Sequence, residues 1–139
     1  MTSATILAIF LATLAQFITG AVWYTPLFGK LWGQIHGFDK LDKKTQDKMM
    51  SEMKPIFGVQ IAVTIITSVV LMYLHRTFPG YSLMALTFWI WLGFVVPSLV
   101  SGILFSGTES KWMVTKSVVM AGGSLASLMA GAFVLNLLV

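Results

Sequence analysis

Four runs of this chain are long enough to cross a bilayer, and none of them contains Asp, Glu, Lys or Arg. They cover roughly residues 4–24, 56–74, 83–105 and 117–139. A hydrocarbon core of about 30 Å needs about 20 helical residues, and each charged side chain at its centre would cost about 2.5–3.5 kcal/mol. Open sheets leave backbone groups unpaired in lipid, so the runs must be helices. The expected fold class is an all-α membrane protein: one domain over residues 1–139 with four transmembrane helices. Composition agrees, with 57% hydrophobic and only 10% charged residues against about 25% charged in soluble domains. The run at residues 4–24 is preceded by no Lys or Arg, so it reads as a retained span rather than a cleaved signal, which opens with a basic region.

The charges between the spans set an orientation. The loop 25–55 holds Lys30, Lys40, Lys43, Lys44, Lys48 and Lys54, and the third loop adds Lys111 and Lys116. The connection between the second and third spans has only Arg76. Short basic loops stay in the cytoplasm, which predicts cytoplasmic first and third loops, both termini outside, and a plasma (inner) membrane location. The excess of +4 is read as this topology signal and not as a nucleic-acid surface; no nucleic-acid partner is expected.

The stretch Trp23 to Gly33 marks where the chain leaves lipid, being aromatic, basic and turn-prone. Trp23, Tyr24, Pro26, Phe28, Gly29 and Trp32 are candidate interface or lipid contacts. Thr25 can cap a short interfacial amphipathic helix with Pro26 in its first turn. A polar helix starting at Asp39 or Asp42 and ending near Met53 follows, and Pro55 opens the second span. Pro79-Gly80 suits the centre of a type II turn, and Ser106-Gly107 provides the break before the fourth span.

Inside the spans two patterns stand out. Gly123, Ser127 and Gly131 form a stripe at four-residue spacing, as do Ala8, Ala12, Gln16 and Gly20 in the first span. Such stripes let helices approach closely where lipid supplies no hydrophobic drive. They fit packing inside one bundle, or a homo-oligomer interface. Counted from the cytoplasmic ends, Gln16, Thr64 and Ser98 lie at a common depth of roughly 10–12 Å at 1.5 Å per residue, with Ser124 similar. Pro97 cannot donate to the carbonyl of Gly93, which predicts a kinked third span with Gln16, Ser98 or water supplying the missing donor. Gln16, Thr64, Gly93, Pro97, Ser98 and Ser124 are therefore a candidate intramembrane polar layer, favoured as interhelical bonding over a ligand pocket because no charge joins it.

Reactive constellations are lacking in the sequence. There is no cysteine, so thiol chemistry and Cys-based metal sites are excluded. His36 and His75 fall on opposite sides of the predicted membrane, and Asp39 beside His36 is short of the three or four ligands a zinc site needs. Glu109 stands alone. No cofactor, metal or catalytic residue is expected.

Two stretches carry a family resemblance: Trp23-Tyr24-Thr25-Pro26-Leu27-Phe28-Gly29-Lys30-Leu31-Trp32, and Trp91-Leu92-Gly93-Phe94-Val95-Val96-Pro97 followed by Leu104-Phe105. They resemble the signature of domain of unknown function family 1761, small four-span membrane proteins. The resemblance covers nearly the whole chain; it implies this layout and supplies no catalytic residue.

The leading expectation is a small non-enzymatic integral membrane protein acting through packing with membrane lipid, itself as a homo-oligomer, or a larger membrane-protein partner. The rival is a small transporter or channel-like protein for a neutral or amphipathic solute. Length and span number resemble the small multidrug-resistance exporters, which use a first-span Glu for proton exchange. Gln16 cannot titrate, so carboxylate-driven proton coupling is disfavoured. A membrane enzyme on lipid or quinone would have only His36, Asp39 and Trp32 to work with.

Overall fold

The computed structural model describes residues 2–139. Among these the chain is all-helical, with four helical stretches long and apolar enough to span a membrane: Ser3–Leu27, Lys54–Thr77, Leu83–Leu104 and Ser110–Leu138. The first is α1 (Ser3–Val22) extended by a wide π turn, Trp23–Leu27. Thr2 caps it, its hydroxyl accepting from the Thr5 amide at 3.3 Å.

Pro26 falls inside that wide turn and does not open a new helix behind a Thr25 cap. Its ring would collide with the carbonyl four residues back in a regular helix, and one extra residue per turn relieves the clash. The short helix α2 (Gly29–Ile35) follows Phe28 and begins later than a helix opened at Pro26 would. Gly37, at φ 70°, ends that segment in the left-handed region. The polar helix α3 (Lys43–Glu52) is capped by Asp42, whose carboxylate accepts from the Thr45 hydroxyl at 2.6 Å and the Thr45 amide at 3.3 Å. These bonds hold the Asp42 carboxyl below its ordinary range.

Helix α4 (Lys54–Thr77) has Pro55 in its first turn. The turn after it closes with the Tyr81 amide donating to the Phe78 carbonyl at 3.0 Å. Gly80 is not at positive φ, so the type II turn expected at Pro79-Gly80, which needs positive φ at its third residue, does not form. The third span is α5 (Leu83–Ile90), a π turn over Trp91–Val95, and α6 (Val96–Leu104). Gly107, at φ 75°, makes the break before α7 (Ser110–Leu138). That helix begins seven residues before the predicted span, because hydropathy marks the lipid-facing length and the helix continues past it through Lys116, Trp112 and Lys111.

Helix α7 is the centre of the bundle and touches α1, α4, α5 and α6, most extensively α1. The buried core of Ala8, Ile9, Ala12, Leu71, Met72, Leu83, Ala132 and Leu135 lies toward the end that carries Arg76. At that end the Arg76 guanidinium donates to the Thr5 hydroxyl. Toward the lysine-rich end α4 diverges, and every residue from Lys54 to Val63 is exposed.

Candidate functional site

The hinge aromatics turn inward. The indole N–H of Trp23 donates to the Val119 carbonyl at 2.9 Å. Its ring lies across Gly122 and Gly123, where an added Cβ would come within 2.7 Å and 2.8 Å of it. The Tyr24 hydroxyl sits over Gly123 as well, 3.0 Å from where a Cβ would be. Phe28 packs tilted against Trp23 with centroids 4.7 Å apart, Trp32 meets Tyr24 edge to face at 4.9 Å, and His36 packs tilted against Trp32 at 4.3 Å. Gly29 approaches the Tyr24 carbonyl, 3.1 Å from a notional Cβ. Of the six residues read as interface contacts, only Pro26 is exposed; the other five are half-buried among themselves and α7.

On the other flank of α7, the Trp91 indole donates to the Ala121 carbonyl at 3.1 Å and the Ser124 hydroxyl at 3.0 Å. Two tryptophans from different spans thus grip the same short stretch of α7, Val119 to Ser124. Trp91 stood out in the sequence only as the first residue of the second family-like stretch; its pairing with Ser124 has no short-range signal.

The small-residue stripe of α7 is consumed inside the chain. Gly123 receives Trp23, the Ser127 hydroxyl donates to the Gln16 carbonyl at 3.1 Å, and Gly131 lies under the Gln16 side chain. Gln16, only 4% exposed, donates through Nε2 to the Ser68 hydroxyl at 2.7 Å. The Thr13 hydroxyl is 2.9 Å from the same Ser68 oxygen.

This bonded set differs from the predicted layer. Gln16 meets Ser68, one turn beyond Thr64, whose own hydroxyl donates to the Gln60 carbonyl at 2.7 Å. Ser124 joins Trp91, as above. Gly93, Pro97 and Ser98 are exposed, because α6 reaches α7 through its buried Ile103 face and leaves them outside. They meet neither Gln16 nor one another's missing donors; the wide turn accommodates Pro97 instead, with the Val96 amide bonded five residues back to the Trp91 carbonyl. Ser68 and Thr13 were missed, although Thr13–Gln16 and Thr64–Ser68 fall at the spacings that share a helix face.

At the lysine-rich end the first and third loops meet. A groove of about 560 Å³ runs between the end of α2 and the start of α7, and His36, Asp39, Lys40, Glu109, Lys111 and Lys116 line it. His36 and Asp39 share this groove with Glu109, which looked isolated in the sequence; Trp32 packs behind His36. Among the described residues no three His, Asp or Glu side chains gather closely enough to hold a metal ion.

No curated protein and no solved structure matches the chain. The family described as Protein of unknown function (DUF1761) matches residues 7–136, nearly the whole length over which α1, α4, the third span and α7 build the bundle, and the chain belongs to that family.

Proposed function

We propose that this is a small non-enzymatic integral membrane protein that acts through its outer surface, in contact with lipid, with itself or with a larger membrane protein. In this reading it sits in the plasma (inner) membrane with the lysine-rich end in the cytoplasm and both termini outside. The supporting observation is how the interior is used. The polar side chains between α1, α4, α5 and α7 bond to one another or to backbone of the same chain, while Lys54–Val63 of α4 is exposed on every side. What is left to act is the exterior.

The chain has no cysteine, so single-cysteine variants report cleanly. Cross-linking at Gly58→Cys and Ala62→Cys in native membranes, together with the mass of the detergent-solubilised protein, reads which contacts α4 makes. The competing reading is tested with proteoliposomes: solute flux that is lost in Gln16→Leu, with folding retained, would replace this proposal by transport.

A further inference from the structure

The groove at the lysine-rich end carries a charge pattern that selects a ligand. Lys111 lies 3.1 Å from the Glu109 carboxylate, so that pair is neutralised. Lys116 donates only to the neutral Thr108 hydroxyl, at 3.2 Å. Lys40 and Asp39 have no ion pair among the described residues. Three lysines against two carboxylates leave the groove with one net positive charge. Helix α7 starts beside the groove with Glu109 in the cap position and no side-chain cap bond, although the Trp112 amide is taken up by the Glu109 carbonyl at 2.8 Å.

Position narrows the choice further. The groove lies where the third and fourth spans leave their apolar stretches, beside Trp112, and tryptophan and lysine at a span end mark the headgroup level. Its volume is in the range of small-ligand sites. A phosphodiester carries one negative charge and would balance the groove; a nucleotide polyphosphate would leave several charges uncompensated.

We propose that this groove binds the phosphodiester headgroup of an anionic phospholipid such as phosphatidylglycerol, with Lys40 and Lys116 as its counter-charges. The proposal rests on the membrane reading above and names the lipid contact that reading leaves open.

The test uses the full chain, delipidated in detergent, with native mass spectrometry counting bound phosphatidylglycerol against phosphatidylcholine of the same acyl chains. Two lysines near a membrane surface together account for tenfold or more in binding. Lys40→Gln/Lys116→Gln should therefore lose phosphatidylglycerol retention by about tenfold, while Lys43→Gln/Lys44→Gln, with the same net charge but on α3, keeps it. Glu109→Gln frees Lys111 and should tighten retention severalfold. Equal loss in both lysine pairs, or no change in Glu109→Gln, overturns the proposal. Displacement by inorganic phosphate alone would make the groove a free-anion site and also overturns it. Circular dichroism and thermal unfolding of each variant secure the comparison. Flotation with liposomes separates the two readings: a chain that fails to float sinks the membrane placement, whereas one that floats without headgroup selectivity sinks only the groove.

Discussion

Replacing Gly131 by Ala tests the α1–α7 contact where it is closest. A methyl there would lie 2.6 Å from Gln16 Nε2, 2.7 Å from Cδ and 2.8 Å from Cγ. All three distances are well inside ordinary van der Waals contact. The Gln16 side chain cannot swing clear, since it is 4% exposed and its amide is held by Ser68 at 2.7 Å. Overpacking of this kind costs about 1–3 kcal/mol, and giving up the Ser68 bond to make room costs about 0.6 kcal/mol in a membrane interior. Better helix propensity returns up to about 1 kcal/mol. With the full propensity gain, the net expectation is a loss of about 0.6–2.6 kcal/mol, worked from those three terms. Gly58→Ala supplies the opposite sign, because nothing lies within 4 Å of a methyl at that position and only the propensity gain remains. The assay is reversible unfolding in mixed micelles, followed by circular dichroism as the denaturing detergent fraction rises. A double-mutant cycle with Gln16→Ala sharpens it: truncating Gln16 removes the three clashing atoms, so the pair should be less damaging than the sum by about 1–2 kcal/mol. If Gly131→Ala is as stable as Gly58→Ala, or if the two effects add, the stripe does not lie under Gln16 and the reasoning fails.

Three further outcomes follow from named contacts. Ser68→Ala takes away the acceptor of the buried Gln16 amide, while the Thr13 hydroxyl keeps the Ile9 carbonyl at 2.8 Å, and should cost about 0.6–1.7 kcal/mol, against a change within about 0.5 kcal/mol for the exposed Ser98→Ala; micelle unfolding reads both. Trp23→Phe keeps most of the ring over Gly122 and Gly123 but deletes the bond to the Val119 carbonyl, lowering stability by about 0.6–1.7 kcal/mol in the same measurement. The Thr45 hydroxyl and amide donate to the Asp42 carboxyl and hold it below the usual aspartate value of 3.8. A depressed folded value stabilises α3 above pH 3.8 and loses that support as pH falls through the lower folded value. Amide exchange in Lys43–Glu52 should therefore accelerate on acidification below that range, and Asp42→Ala should abolish this pH dependence.

The four spans were legible because hydrocarbon imposes one long-range rule on every residue in a run. The cap of α3, narrowed to Asp39 or Asp42, Pro55 in the first turn of α4 and the break at Ser106-Gly107 were legible because each is a local backbone requirement. The inward contacts of the hinge were not legible, for a physical reason. Aromatic side chains at a membrane boundary can face headgroups or protein, and the choice depends on whether a partner helix offers room. Gly122 and Gly123 offer it to Trp23, but only the crossing of α1 and α7 puts them opposite each other, ninety-six residues apart for the Trp23–Val119 bond. Counting depth from loop ends failed similarly for Ser98. It fixes height in the membrane and leaves the direction a side chain faces undetermined, and the wide turn in the third span resets that direction.

That wide turn explains how the third span can follow α7 at all. Leu83, Thr87, Trp91, Val95, Leu99 and Ile103 are buried or half-buried and recur at every fourth position. At 3.6 residues per turn each step of four drifts by about 40°, so Leu83 and Ile103 would end about 200° apart, on opposite faces of a regular helix. One extra residue absorbed at Trp91–Val95 takes back about 100° of that drift, and both ends can then reach the same neighbour. Leu83 and Ile103 are in fact 1% and 3% exposed. Pro97, which withholds the amide that would otherwise close the regular turn onto Gly93, favours the extra residue at that place. Pro26 does the same at the foot of the first span, where the wide turn carries Trp23 and Tyr24 onto the paired glycines of α7. The two prolines are therefore register devices: each trades one regular backbone bond for a rotation that brings an aromatic anchor to the central helix.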